Sequence, residues 1–418
     1  MPQAMNDTKI DAMSDVTPTV QFDRFSPANV ADPYGLYGEL RERPPFFADA
    51  YGVWIASRYE DVRRVLAEHE TFSSDFLIRS PLMPHPGVPE VLAGGHPEVK
   101  VLLNQDPPDH AAARAVVVGA FTPRRVRELT PRVQQLAADL VDDVAVAGEA
   151  ELMSAYVMPL PLYVVCELLG LPLADAARVR TWIEELSVFN DFTATPARQI
   201  AAAHSSVAFE RYLAAFLDGH TGDDLTSALL DSGAFDTDQM VSLLITLIFG
   251  GHETTANLIG NTLLQLIPPA DPPAEDARRW TTTGEEVAAA VEETLRHDPP
   301  VQGMYRRVVA DTEVGGALIP AGAQVFALIG AANRDGEVFT EPDRWDPHRH
   351  APKHLAFGQG VHYCLGAQLA KMEAKVAITT LVERLPDLSF APGFTGEYLP
   401  NLMHRGPARL PVRWRTPS

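Results

Sequence analysis

Apolar and polar positions along this chain follow two periods, and the helical one dominates. After a polar opening come short β-like runs such as Gly52-Val53-Trp54-Ile55-Ala56, and from about 107 to 297 the spacing is mostly helical, punctuated by proline. Asp106 before Pro107 predicts an N-cap with proline in the first helical position. His110 and Arg114, four apart, then share one face of that helix. Asp236 and Gln239 form a capping-box pattern, and Pro268-Pro269 stop the helix it opens. At about 30 residues this helix is long for a globular protein. Its centre is apolar all round, which predicts a course through the core. Thr283 and Glu286 open another helix, closed by Pro299-Pro300. Over 312–328, Gly-Gly, Pro-Ala-Gly and alternating apolar residues predict strands and turns. Helix returns after Cys364, where Leu365, Leu369, Met372 and Val376 are spaced 4, 3 and 4. The predicted class is mainly α with a smaller β portion. No linker or repeat divides the chain, so residues 1–20 read as a disordered segment and 21–418 as a single domain.

Charge and cysteine content narrow the function classes. Acidic residues outnumber basic ones 55 to 34, a formal net charge of −21. That balance opposes binding to duplex nucleic acid and electrostatic docking on an anionic membrane. The longest clean apolar run, residues 240–251, is too short to span a bilayer, and the N-terminus is interrupted by Asp7, Lys9, Asp11 and Asp15. The chain is therefore expected to be soluble and cytoplasmic. Its two cysteines, Cys166 and Cys364, supply no disulfide framework. Cys166 lies in an apolar stretch and reads as a packed, inert thiol.

Cys364 has different neighbours. In Phe357-Gly358-Gln359-Gly360-Val361-His362-Tyr363-Cys364-Leu365-Gly366, two glycines let backbone approach something flat and leave amides free to point at sulfur. A helix beginning just beyond is expected to lower the thiol pKa. A thiolate pinned in such a loop is a good ligand for heme iron. A buried cysteine beside a turn is the plainer reading, and this spacing makes it a poor one. Glu293 and Arg296, at i and i+3, are by themselves an ordinary ion pair. Gly250-Gly251-His252-Glu253-Thr254-Thr255 interrupts the long apolar helix with two costly glycines and a buried acid and hydroxyl. It predicts either an opened hydrogen-bond ladder with room for a small ligand or helix packing through small residues.

Taken in order, these segments resemble the cytochrome P450 superfamily, in its soluble bacterial branch. The cysteine loop matches that family's Phe-Gly-x-Gly-x-His-x-Cys-x-Gly signature at every fixed position. The Glu-x-x-Arg pair and the (Ala/Gly)-Gly-x-(Asp/Glu)-Thr motif stand in the family's order, with Gly250 where alanine is commoner. The resemblance covers about 20–415 and implies a P450 fold, with the long helix crossing over heme b. It implies Cys364 as the iron ligand, with Phe357 and Gly358 beside it. His110, Arg114, Arg306 and His362 would bind the heme propionates, Arg307 being the alternative to Arg306. Glu293 and Arg296 would be structural, tied to Arg344 or to Arg349. Glu253 and Thr254 would deliver protons to dioxygen in the distal pocket, Glu253 connecting toward solvent.

By the same resemblance the substrate pocket is lined by a Pro-rich loop at 76–96 that includes Phe76, by Thr246, Phe249 and Gly250, by Val301, Gln302 and Met304, and by Met403. Its apolar character implies a medium-to-large apolar substrate, by analogy a polyketide, macrolactam or similar natural product. No flavin or nicotinamide fingerprint is present, so electrons are expected from a separate ferredoxin and ferredoxin reductase. A basic patch of Arg114, Arg124, Arg125 and Lys371 would receive the acidic ferredoxin.

Competing readings are weaker. His252-Glu253 lacks the second histidine of His-Glu-x-x-His, because Ala256 stands there. His348, His350 and His354 read as a surface loop rather than a zinc site. A heme-thiolate sensor would not need Glu253-Thr254. A peroxide-driven or non-oxygenating heme-thiolate enzyme is the runner-up.

Overall fold

Each expected helix signal has a physical counterpart in the computed structural model, which describes residues 22–75, 85–190, 194–270, 283–350 and 353–416. Segment 1–20 and Phe76 lie outside the described residues. Helices of nine residues or more are numbered α1 (Tyr59–Ala67), α2 (Asp109–Val117), α3 (Pro123–Ala145), α4 (Pro159–Leu169), α5 (Ala176–Leu186), α6 (Pro196–Leu217), α7 (Thr237–Leu266), α8 (Gly284–His297) and α9 (Ala367–Arg384). Strands β1 (Phe46–Ala48), β2 (Val53–Ala56), β3 (Phe72–Ser73), β4 (Met304–Val308) and β5 (Gln324–Ala327) form one sheet in the order β1-β2-β5-β4-β3. Only β2 and β5 run parallel, with Ile55 opposite Phe326. The class is mainly α with a smaller β portion, as expected.

The long helix α7 is the axis of the molecule, about 45 Å from end to end at 1.5 Å per residue. The Asp236 carboxylate accepts from Gln239 N–H (2.8 Å), and the Gln239 side chain accepts from Asp236 N–H (2.9 Å), closing the capping box. Met240, Val241, Leu243, Leu244, Ile248, Ile259 and Leu263 are all buried, every residue from Thr255 to Leu263 is buried, and the helix packs on α4, α8 and α9. Thr283 and Glu286 cap α8 in the same reciprocal way. Helix α9 packs on α3 and places its start beside the cysteine loop.

The helix predicted at Asp106 begins later. Pro107 and Pro108 are joined by a cis peptide, and α2 starts at Asp109. Asp106 is not its side-chain cap. Its carboxylate instead accepts from Ser73 Oγ (2.5 Å) and Ser74 N–H (2.9 Å), tying the end of β3 to the approach of α2. Cys166 is fully buried, and burial pushes its thiol up to about 12, as expected of an inert packing residue. Among the described residues no helix is long and apolar enough to cross a membrane.

Candidate functional site

The cysteine loop is built by backbone hydrogen bonds. Cys364 N–H donates to Phe357 C=O (2.8 Å), Gly358 N–H to Leu355 C=O (2.8 Å), and Tyr363 N–H to Gly360 C=O (3.1 Å). Gly358 and Gly360 both have φ +72°, which favours glycine. Gly360 also needs its missing Cβ, which would lie 2.9 Å from the Ala67 carbonyl. That glycine therefore has a packing reason of its own, close approach to α1. A Cβ on Gly358 would meet nothing nearer than 3.7 Å, so there only the backbone conformation selects glycine.

Cys364 is half-buried two residues before Gly366, the N-cap of α9. Burial pushes its thiol pKa up, and the Gly366 amide and Arg114 pull it down only in part. The expected lowering by the helix terminus is thus outweighed in the protein alone. Phe357 packs beside the loop, its ring 6.3 Å from Tyr363 and 5.5 Å from Lys371 Nζ.

Beside this loop the chain gathers positive and imidazole groups that have little to bind. His110 and His362 lie ring to ring at 4.2 Å, one from α2 and one from the loop. His110 Nδ1 and His362 Nε2 are buried with no hydrogen-bond partner among the described residues. Arg114 reaches from the same face of α2 as His110 and donates to Tyr363 C=O (2.7 Å). Arg306 is buried on β4 and donates only to its own neighbour's carbonyl, Tyr305 C=O (2.8 Å). Arg307 points outward to Asp75 (3.1 Å). Burial, then Arg306 and the other nearby cations, pushes His362 down to about 3. Burial lowers Arg306 to about 10, opposed only by Asp106. Four donors gathered near one another, short of carboxylate partners, suit a flat group carrying two acidic arms. The donor set beside Cys364 therefore fits an iron porphyrin with propionates.

Helix α7 forms one wall of a mostly apolar cavity. Thr246, Phe249 and Gly250 line it, as expected, together with Ile245, Leu186 and Phe189. Glu98, Val99, Leu103, Asn104 and Ser242 complete the lining and were not singled out in the sequence, because they lie just beyond the Pro-rich loop or at a polar turn of α7. Val301 and Met304 pack instead against the sheet cluster, and Met403 against the cluster around Tyr37. Gln302 is not a pocket residue. Its amide donates to Pro299 C=O (2.8 Å) and accepts from the Tyr37 hydroxyl (3.0 Å), and it is fully buried.

The two glycines of α7 have different reasons. A Cβ on Gly251 would press on Val165 at 3.3 Å, so this position lets α4 approach. Gly250 faces open space and the cavity. The helix is unbroken here, and the Gly251 contact fits the second of the two expected readings, packing through small residues, rather than an opened ladder. The Thr254 hydroxyl donates to Gly250 C=O (2.6 Å), a backbone bond four residues back that bends a helix rather than breaking it. Glu253 is held on both carboxylate oxygens. Its Oε1 lies 3.3 Å from His404 Nδ1, and its Oε2 accepts from Ser187 Oγ (3.3 Å). Neither partner was evident in the sequence, since both come from distant turns.

Glu293 and Arg296 form a buried bidentate pair (2.9 and 2.7 Å). Arg349, not Arg344, supplies the third member, its Nε 3.3 Å from Glu293 Oε1. The Arg344 side chain is exposed and pairs with Glu341, while its carbonyl receives Arg296 (3.1 Å) and Arg349 (2.8 Å). The expected basic patch is partly neutralised. Glu128 pairs with both Arg124 and Arg125, and Glu292 with Lys371. Among the described residues no group of three or more His, Cys, Asp or Glu side chains gathers to hold a metal ion.

Comparison with known proteins agrees with this geometry. A family model described as cytochrome P450 matches residues 287–388. The chain is 38% identical over 402 residues to the cytochrome P450 monooxygenase PikC of Streptomyces venezuelae, covering 92% of each. It is 36% identical over 398 residues to mycinamicin IV hydroxylase/epoxidase of Micromonospora griseorubida, covering 91% of this chain and 95% of that one. Among solved structures, cytochrome P450 CREJ in complex with (4-ethylphenyl) dihydrogen phosphate superposes with a TM-score of 0.86 at 29% identity, covering 92% of this chain and 98% of that chain.

Proposed function

The chain belongs to the cytochrome P450 family, and from that premise we propose that it oxidises a medium-to-large apolar natural product of the polyketide or macrolactam kind. It is a heme-thiolate monooxygenase, an oxidoreductase. Bound heme supplies the redox chemistry that activates dioxygen. The chain's own residues supply the rest.

In this reading Cys364 is the thiolate ligand. Its raised pKa is no obstacle, because a coordinating thiol is deprotonated by the metal it binds. His110, Arg114, Arg306 and His362 hold the two propionates, giving the orphaned imidazole nitrogens and the isolated guanidinium their missing partners. Phe357 and Gly358 shape the loop around the sulfur and limit water there. On α7 the Thr254 hydroxyl would supply a proton beside Gly250, a cavity residue, and Glu253 is the acid one residue away. The single observation that carries the assignment is the set of donors short of carboxylate partners that gathers beside Cys364.

The substrate class rests on that cavity lining and on the hydroxylase/epoxidase relative, whose name refers to mycinamicin IV. Electrons come from a redox partner, and a ferredoxin with its reductase is the proposed pair. Turnover under ¹⁸O-labelled dioxygen with a panel of macrolactones and macrolactams tests the proposal. One labelled oxygen in the product is expected. Unlabelled product formed only from added peroxide would favour the peroxide-driven alternative, and turnover of fatty acids alone would displace the proposed substrate class.

A further inference from the structure

We propose that His404 is a positioning residue for Glu253: as an imidazolium it holds the carboxylate in place on α7 next to Thr254, and proton delivery there depends on that charged pair. The inference rests on the reading that Glu253 and Thr254 handle protons, and it adds a partner from a remote part of the chain.

The geometry is that of a built contact. Glu253 leaves α7 between two elements, with Ser187 at the end of α5 on one oxygen and His404 of the C-terminal turn on the other, each at 3.3 Å. His404 is itself fixed from several directions. Its backbone N–H donates to Asn401 Oδ1 (2.9 Å), its backbone bridges Val301, and its ring lies 5.8 Å from Phe249, a cavity residue. It is only 6% exposed. A buried imidazolium without a counter-charge would lose its proton. Here Glu253 supplies the charge, and its pull outweighs burial, raising the His404 pKa. The reverse holds for Glu253, whose carboxyl is pulled down against burial by His404, with help from His252 and Ser187.

The other titratable groups in reach do not replace this pair. His252, next on α7, is kept neutral by burial and spends Nε2 on Met158 C=O (3.1 Å). Arg180 and Glu184 of α5 act on His252 with opposite sign, and Glu253 is the one charged group acting on His404. The sign follows. The pair is intact above the depressed pKa of Glu253 and below the raised pKa of His404. It is lost as pH rises through the latter.

The test uses the heme-loaded enzyme. Histidine NMR of the reduced carbon monoxide complex, with His404 assigned by His404→Gln, is expected to give a midpoint above the ordinary imidazole value. In Glu253→Gln that midpoint should fall by about one pH unit, the effect of removing a close opposite charge. In turnover with reductase and ferredoxin, His404→Gln is expected to form product about tenfold more slowly, with more NAD(P)H lost as hydrogen peroxide and without the wild-type fall at high pH. An unaltered red-shifted carbon monoxide band and melting temperature establish that this variant is folded. A His404 midpoint at or below the ordinary value overturns the proposal. So does a His404→Gln enzyme with wild-type coupling and pH profile while Glu253→Gln is impaired. If Glu253→Gln itself couples normally, the underlying reading of Glu253 fails instead.

Discussion

Buried donors without acceptors are costly, and the region beside Cys364 concentrates them. His110 Nδ1 and His362 Nε2 have no partner among the described residues, and Arg306 spends one donor on a neighbouring carbonyl. A charge-assisted hydrogen bond from such a group contributes about 1.5–3 kcal/mol. Arg306→Leu should therefore release heme to an acceptor globin about tenfold faster or more, while Arg307→Leu, whose partner is the exposed Asp75, should leave the rate unchanged. Equal rates in the two variants would remove Arg306 from the propionate set. At this scale the sequence was informative where a residue's neighbours along the chain define its setting. Cys364 and the glycines around it were legible for that reason. Gly360 was legible only as glycine, because the contact that excludes a side chain comes from Ala67 on another helix. His404 carried no local signal, since its partner stands on α7.

Elements are joined beneath the heme-side loop by the Glu293, Arg296 and Arg349 cluster. Arg296 adds bonds to Asn333 C=O (3.0 Å) and Pro342 C=O (2.8 Å), so α8 grips two segments leading to the cysteine loop. Removing one member of a buried pair strands the other, at a cost of about 3–5 kcal/mol. Glu293→Ala should lower the melting temperature sharply and weaken heme retention, whereas Arg344→Ala, an exposed side chain, should change stability by no more than about 0.5 kcal/mol. Comparable losses in both would restore Arg344 to the cluster. Capping pairs made α7 and α8 legible, because Asp236 with Gln239 and Thr283 with Glu286 are local chemistry. The start of α2 was misplaced by two residues, since two consecutive prolines and the pull of Ser73 and Ser74 on Asp106 override the simple capping pattern.

Across the whole molecule, the net charge of −21 hides a face of mixed sign beside Cys364. Glu128 and Glu292 pair with three of the four cations proposed to meet an acidic redox partner. Glu128→Gln should thus speed ferredoxin-dependent reduction by about two- to threefold at low ionic strength, with the gain vanishing at high salt. No gain at low salt would place the encounter on another face. The overall architecture was legible from helix periodicity and ordered motifs, but which side chains share a pocket depends on contacts between segments hundreds of residues apart. The central claim is that Cys364 holds heme iron as a thiolate. It is tested most directly by the absorption spectrum of the reduced enzyme with carbon monoxide. A strongly red-shifted Soret band, lost in Cys364→Ser, is the predicted result; a band at the ordinary heme position in the wild-type enzyme would contradict the account.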